Sequence, residues 1–96
     1  MLKSYIVTYD ICEPVRLRKV YKAMRGFGDH LQYSVFRCDL SDVERAKMIG
    51  RLDRLIDHVV DQVLIIDLGP STGRAARCIE ALGRAYKEPE RGAIVV

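Results

Sequence analysis

The chain has 96 residues, 49% of them hydrophobic and 30% charged, with a net charge of +3. That length fits one domain, 1–96, with a modest core, and no apolar run reaches the roughly 20 residues of a membrane-spanning helix. Three cysteines, Cys12, Cys38 and Cys78, are an odd number without CxxC spacing, which argues against a disulfide framework or a zinc ribbon.

Lys3 to Tyr9 is rich in β-branched and aromatic residues and predicts a strand. The apolar stretch after Lys3 meets Asp10 too soon for a signal peptide, so a cytoplasmic protein is expected. Pro14 suits the first turn of a helix. Leu17, Val20, Tyr21, Met24 and Phe27 then recur at helical spacing as a core-facing stripe, closed by Gly26 and Gly28.

His30 to Leu40 is long for one strand, so a bend near Ser34 or a split is expected. Ser41 and Glu44 form a capping-box pattern. The helix they open is expected to run to about Asp57, with Val43, Ile49, Leu52, Leu55 and Ile56 inward and a mixed-charge surface. Asp61 to Leu68 predicts a strand, and "GPSTG" a turn. Arg74 to Gly83 is ambiguous between helix and strand. "KEPERG" reads as a polar turn, and Gly92 to Val96 as a short terminal strand. Two βαβ-like halves point to an α+β, ferredoxin-like βαββαβ sandwich, with two helices on one face of an antiparallel sheet. The uncovered sheet face, and the apolar 92–96 strand, suggest pairing with a second copy.

Asp10 admits two chemical readings. A carboxylate at a strand end is a hard oxygen donor suited to magnesium or manganese, and a two-fold axis nearby would let two copies share one ion. It could equally cap a turn before Pro14, and pattern alone favours that turn role. The first helix carries Arg16, Arg18, Lys19, Lys22 and Arg25 on its non-core surface, with no acid between Val15 and Gly28. Arg18, Lys22 and Arg25 share one stripe, a candidate phosphate-binding surface. His30 could be a base, a phosphate contact or a turn residue. Tyr33 and Phe36 read as sheet-core residues rather than base-stacking platforms, and His58 as a helix C-terminal residue. The chain has no P-loop, GxGxxG, HExxH or EF-hand pattern.

"YDI" at Tyr9 to Ile11, "RLRKV" at Arg16 to Val20, "GFG", "QYSVF" at Gln32 to Phe36, "CDL", "VLIIDLG" and the terminal "AIVV" form an ordered set across the chain. This set resembles the CRISPR-associated adaptation family called Cas two. The resemblance implies a ferredoxin-like homodimer whose C-terminal strand, 92–96, pairs with the partner's sheet. It implies a magnesium ion held by Asp10 and its mate across the dimer axis. It also implies endonuclease activity on single-stranded RNA or double-stranded DNA, with Tyr9, Asp10, Arg16 and Arg18 at the catalytic centre. Arg16, Arg18, Lys19, Lys22, Arg25 and His30 would contact nucleic acid; His30 stands where relatives often carry arginine. The family works with the Cas one integrase in spacer acquisition. The alternative is a non-catalytic DNA-binding dimer that bridges integrase dimers. The resemblance further favours a short strand at Cys78 to Leu82.

Overall fold

A computed structural model of the protein describes residues 1–86. The expected terminal strand at 92–96, and the polar turn before it, lie outside the described residues.

The elements run β1 (Lys3–Asp10), α1 (Pro14–Met24), β2 (Asp29–Gln32), β3 (Val35–Leu40), α2 (Asp42–Leu55) and β4 (Gln62–Pro70), followed by a single 3₁₀ turn at Arg74–Arg77. The four strands form one antiparallel sheet in the order β2-β3-β1-β4. This is the βαββαβ arrangement expected of a ferredoxin-like α+β sandwich.

Alternation along β1 sends Tyr5, Val7 and Tyr9 to the helix-covered face, all buried. Their register partners on β3, Cys38 and Phe36, are fully buried beside them. Val20, Ala23 and Met24 of α1 and Met48 and Leu52 of α2 close this core from above.

Several expectations change. The His30–Leu40 segment does split, and the break is a two-residue turn at Tyr33 and Ser34, where Tyr33 takes φ 40°. Phe36 is core as expected, but Tyr33 is 89% exposed. Val43 is exposed rather than inward, because it lies five residues from Met48, about 140° around the helix. Met48 takes the core position instead. Leu17 has the right helical phase but belongs to the first turn, at the end of the stripe, and is partly exposed. The strand expected at Cys78 to Leu82 does not form. Ile79 is its only β-branched residue, Glu80 and Ala81 are poor strand formers, and no sheet edge engages the segment. Gly28 serves a close approach: a β-carbon there would lie 2.4 Å from the Cys38 sulfur and 2.5 Å from the Arg37 carbonyl oxygen.

The described residues cover only half of the sheet's second face. At the Lys3 end the Arg74–Arg77 turn lies over it, and the buried Arg37 guanidinium donates to the Ala75 carbonyl. Towards the Asp10 end, Leu64 and Ile66 stay about half exposed. Ile6 and Thr8 lie beside them in register.

Candidate functional site

Asp10 is the last residue of β1 and pairs with Gln62 on β4. Its parity is that of Ile6 and Thr8, so it belongs to the open face. The jobs that could have claimed it are done by other acids. Glu13 is the N-cap of α1, and its carboxylate accepts from the Val15 and Arg16 backbone N–H groups at 2.8 and 2.9 Å. These hydrogen bonds hold the Glu13 carboxyl below its ordinary range. Asp61 ties the loop together. Its buried carboxylate accepts from the backbone N–H of Cys12 at 2.9 Å and of Asp57 at 2.8 Å. It also takes Arg16 Nε at 2.8 Å and Nη2 at 3.3 Å. The Arg16 bond, then the two backbone bonds, hold the Asp61 carboxyl well below the usual carboxylate range against the opposing effect of burial. Asp10 itself has no side-chain hydrogen bond or salt bridge among the described residues.

Arg16 is therefore an internal clamp that joins the β1–α1 loop to the loop before β4. The other helix cations behave differently. Arg18, Lys22 and Arg25 line one groove of about 600 Å³, together with Leu17, Tyr9, Tyr21, Tyr33 and Ser34. Among the described residues, none of the three forms a salt bridge and no acid lines the groove. Lys19 is exposed on the same helix but lies outside the groove.

Tyr9 sits at the groove floor. Burial raises its phenol above the ordinary value, opposed by a hydrogen bond from Ser34, so it stays a neutral donor at physiological pH. Tyr21 packs edge-on to Phe36, with centroids 5.7 Å apart, and to His30 at 5.2 Å. The His30 ring places Nε2 2.7 Å from the Tyr33 carbonyl oxygen, so His30 braces the Tyr33–Ser34 turn. His58 lies against the Asp53 carbonyl oxygen at 2.9 Å, a helix-end contact as expected.

The expected site thus divides in two. β1 alternation turns Tyr9 towards the groove and Asp10 to the opposite sheet face, so Arg18 and Tyr9 share no pocket with Asp10.

Sequence reasoning missed three features. Asp61 looked like an ordinary strand-start residue. Tyr33 was assigned to the core. The mixed-charge helix α2 carries a one-signed stripe, Lys47, Arg51 and Arg54, along a second open groove beside Phe27. Their i, i+4, i+7 spacing was available in the sequence, but the interleaved acids hid it.

One chain therefore presents a carboxylate on a half-open sheet face and cationic helix flanks on the other side, the outline of a small domain that meets polyanions. The model for CRISPR associated protein Cas2 matches residues 3–75. A protein of Rhodospirillum rubrum named CRISPR-associated endoribonuclease Cas2 1 is 42% identical over 97% of this chain and 90% of its own length. A CRISPR-associated endoribonuclease Cas2 of Geobacter sulfurreducens is 38% identical over 96% of both. Among solved structures, Streptococcus pyogenes Cas2 superposes with a TM-score of 0.72 at 32% identity, covering 83% of this chain and 99% of that one. A hypothetical protein from Thermus thermophilus superposes with a TM-score of 0.76 at 30% identity, covering 94% and 100%. The chain belongs to the CRISPR-associated Cas2 family.

Proposed function

We propose that this protein is a metal-dependent endoribonuclease of CRISPR adaptation that works as a cytoplasmic homodimer. The observation that carries the reading is Asp10, a carboxylate on the open sheet face with no side-chain partner among the described residues, while Glu13 and Asp61 take the cap and clamp roles around it. The half-exposed Leu64 and Ile66 on that same face favour a second copy as its cover. The names of the relatives point to RNA as the substrate.

No group of three metal-ligating side chains occurs among the described residues. One Asp10 is thin support for a cation. Two Asp10 carboxylates from paired chains fit magnesium, or manganese, which keeps most of its waters and takes only one or two protein carboxylates. When bound, such an ion lowers the pKa of a coordinated water and stabilises charge on a phosphodiester. The chain's own residues supply the rest. Asp61 holds the Cys12 amide and Arg16, and so orients the loop that follows Asp10. Arg18, Lys22 and Arg25 hold the strand's phosphates away from the reacting centre, and Tyr9 offers a neutral phenol in that groove.

The test is Asp10→Ala. Magnesium-dependent RNA cleavage should fall to background while the dimer persists by sedimentation. Cleavage at the native rate would remove Asp10 from the site.

A second observation favours a DNA-bridging role with the Cas one integrase. Both helices carry cationic i, i+4, i+7 stripes, which suit a nucleic-acid backbone without any base reading. In that role Asp10→Ala would leave duplex binding unchanged.

A further inference from the structure

Tyr33 breaks two local rules at once. Its φ of 40° lies in the left-handed region, where a hairpin turn ordinarily carries Gly, Asn or Asp. It is also a large aromatic 89% exposed to solvent. The strain at Tyr33 is held in place from both sides. His30 Nε2 lies 2.7 Å from the Tyr33 carbonyl oxygen, and the next residue's carbonyl, that of Ser34, accepts from the Tyr9 N–H at 3.2 Å. Strained backbone that the surroundings over-determine is a mark of a functional position. The ring stands on the rim of the groove that holds Arg18, Lys22 and Arg25.

We propose that Tyr33 is a stacking platform for an unpaired base, and that this groove is a binding subsite for single-stranded nucleic acid. Among the described residues the groove is lined by cations and no acid, which suits a phosphate backbone. An exposed ring beside such a track has nothing to offer a duplex, whose bases are already stacked. A single strand can present a base face to it. Tyr33 would therefore set preference for unpaired over paired substrate, while Arg18, Lys22 and Arg25 bind phosphates of either. The inference rests on the nucleic-acid reading above, but it concerns the groove rather than Asp10.

The chain contains no tryptophan, so Tyr33→Trp introduces a sole indole at the platform. The test titrates this variant, in EDTA to prevent cleavage, with an unstructured oligonucleotide and with a duplex at equal phosphate concentration. Saturable quenching of about half or more by the single strand, and a much weaker response to the duplex, is the expected result. No quenching, or equal quenching by both, overturns the proposal. Tyr33→Ala should weaken single-strand binding by about five- to 150-fold, the range for loss of one base–aromatic stack, with little change in salt slope. Tyr33→Asn relieves the backbone strain, so it should melt no lower than native protein and still lose that affinity. If both variants bind single strands as native protein does, the stacking role falls even where Asp10→Ala abolishes cleavage. If Asp10→Ala cleaves normally while Tyr33→Ala binds weakly, the metal-site reading falls and the platform stands.

Discussion

The cations along α1 should behave in two opposite ways when neutralised. Arg16 lies on the buried Asp61, whereas Lys22 and Arg25 line the groove with no salt-bridge partner among the described residues. Each phosphate neutralised on a single strand adds about 0.7 to the slope of log affinity against log salt, so three groove cations give about 2. Between 50 and 200 mM salt that slope corresponds to roughly an 18-fold loss of affinity through the groove. Lys22→Gln with Arg25→Gln should remove about 1.4 of the slope, leaving a loss of only about threefold over the same range. The assay is fluorescence anisotropy of a labelled single strand at several salt concentrations. Arg16→Gln should leave the slope unchanged and lower the melting temperature, because it strips the Asp61 carboxylate of its partner. A slope that flattens as much for Arg16→Gln as for the Lys22→Gln, Arg25→Gln pair would refute the division of labour along α1.

Three further outcomes follow from the geometry. Because the Asp61 carboxyl is held low in the folded state, its stabilising effect is complete above the ordinary carboxylate range and is lost as pH falls through and below it. The melting-temperature gap between native protein and Asp61→Asn should therefore stay constant above about pH 5 and narrow on acidification below about pH 4, as calorimetry would show. Leu64→Glu with Ile66→Glu places two charges on the half-open sheet face; the pair should give a folded monomer by analytical ultracentrifugation, and an intact dimer would move the subunit contact elsewhere. Gly28→Ala drives a β-carbon into the Cys38 sulfur and the Arg37 carbonyl, and should cost about 1–3 kcal/mol or more in denaturant unfolding.

Much of the site's history lies in the acids around Asp10. Three carboxylates, Asp10, Glu13 and Asp61, end up near one loop, and the sequence offers no means of distributing the roles among them. Sequence pattern alone favours a turn-capping role for Asp10. Only the fold shows Glu13 within reach of the first-turn amides, and Asp61, 45 residues along the chain from Arg16, as its partner. Long-range pairs of this kind leave no periodic signal.

Local chemistry was legible wherever the cause was local. The β-branched and aromatic run of β1, the Pro14 start, the Ser41–Glu44 capping box and the i, i+4, i+7 stripe of Arg18, Lys22 and Arg25 each rest on residues close together in the chain, and each appears in the fold. The ordered motifs carried the family and the ferredoxin-like topology. Tertiary structure alone decided which side of the sheet each residue serves. It put Tyr9 in the groove and Asp10 on the opposite face, turned Arg16 inward, and sent Tyr33 out to solvent on a strained turn. The physical reason is that a side chain's role depends on what the rest of the chain brings to it. A buried carboxylate captures the nearest guanidinium, and a groove exists only once helix, strand end and hairpin turn meet.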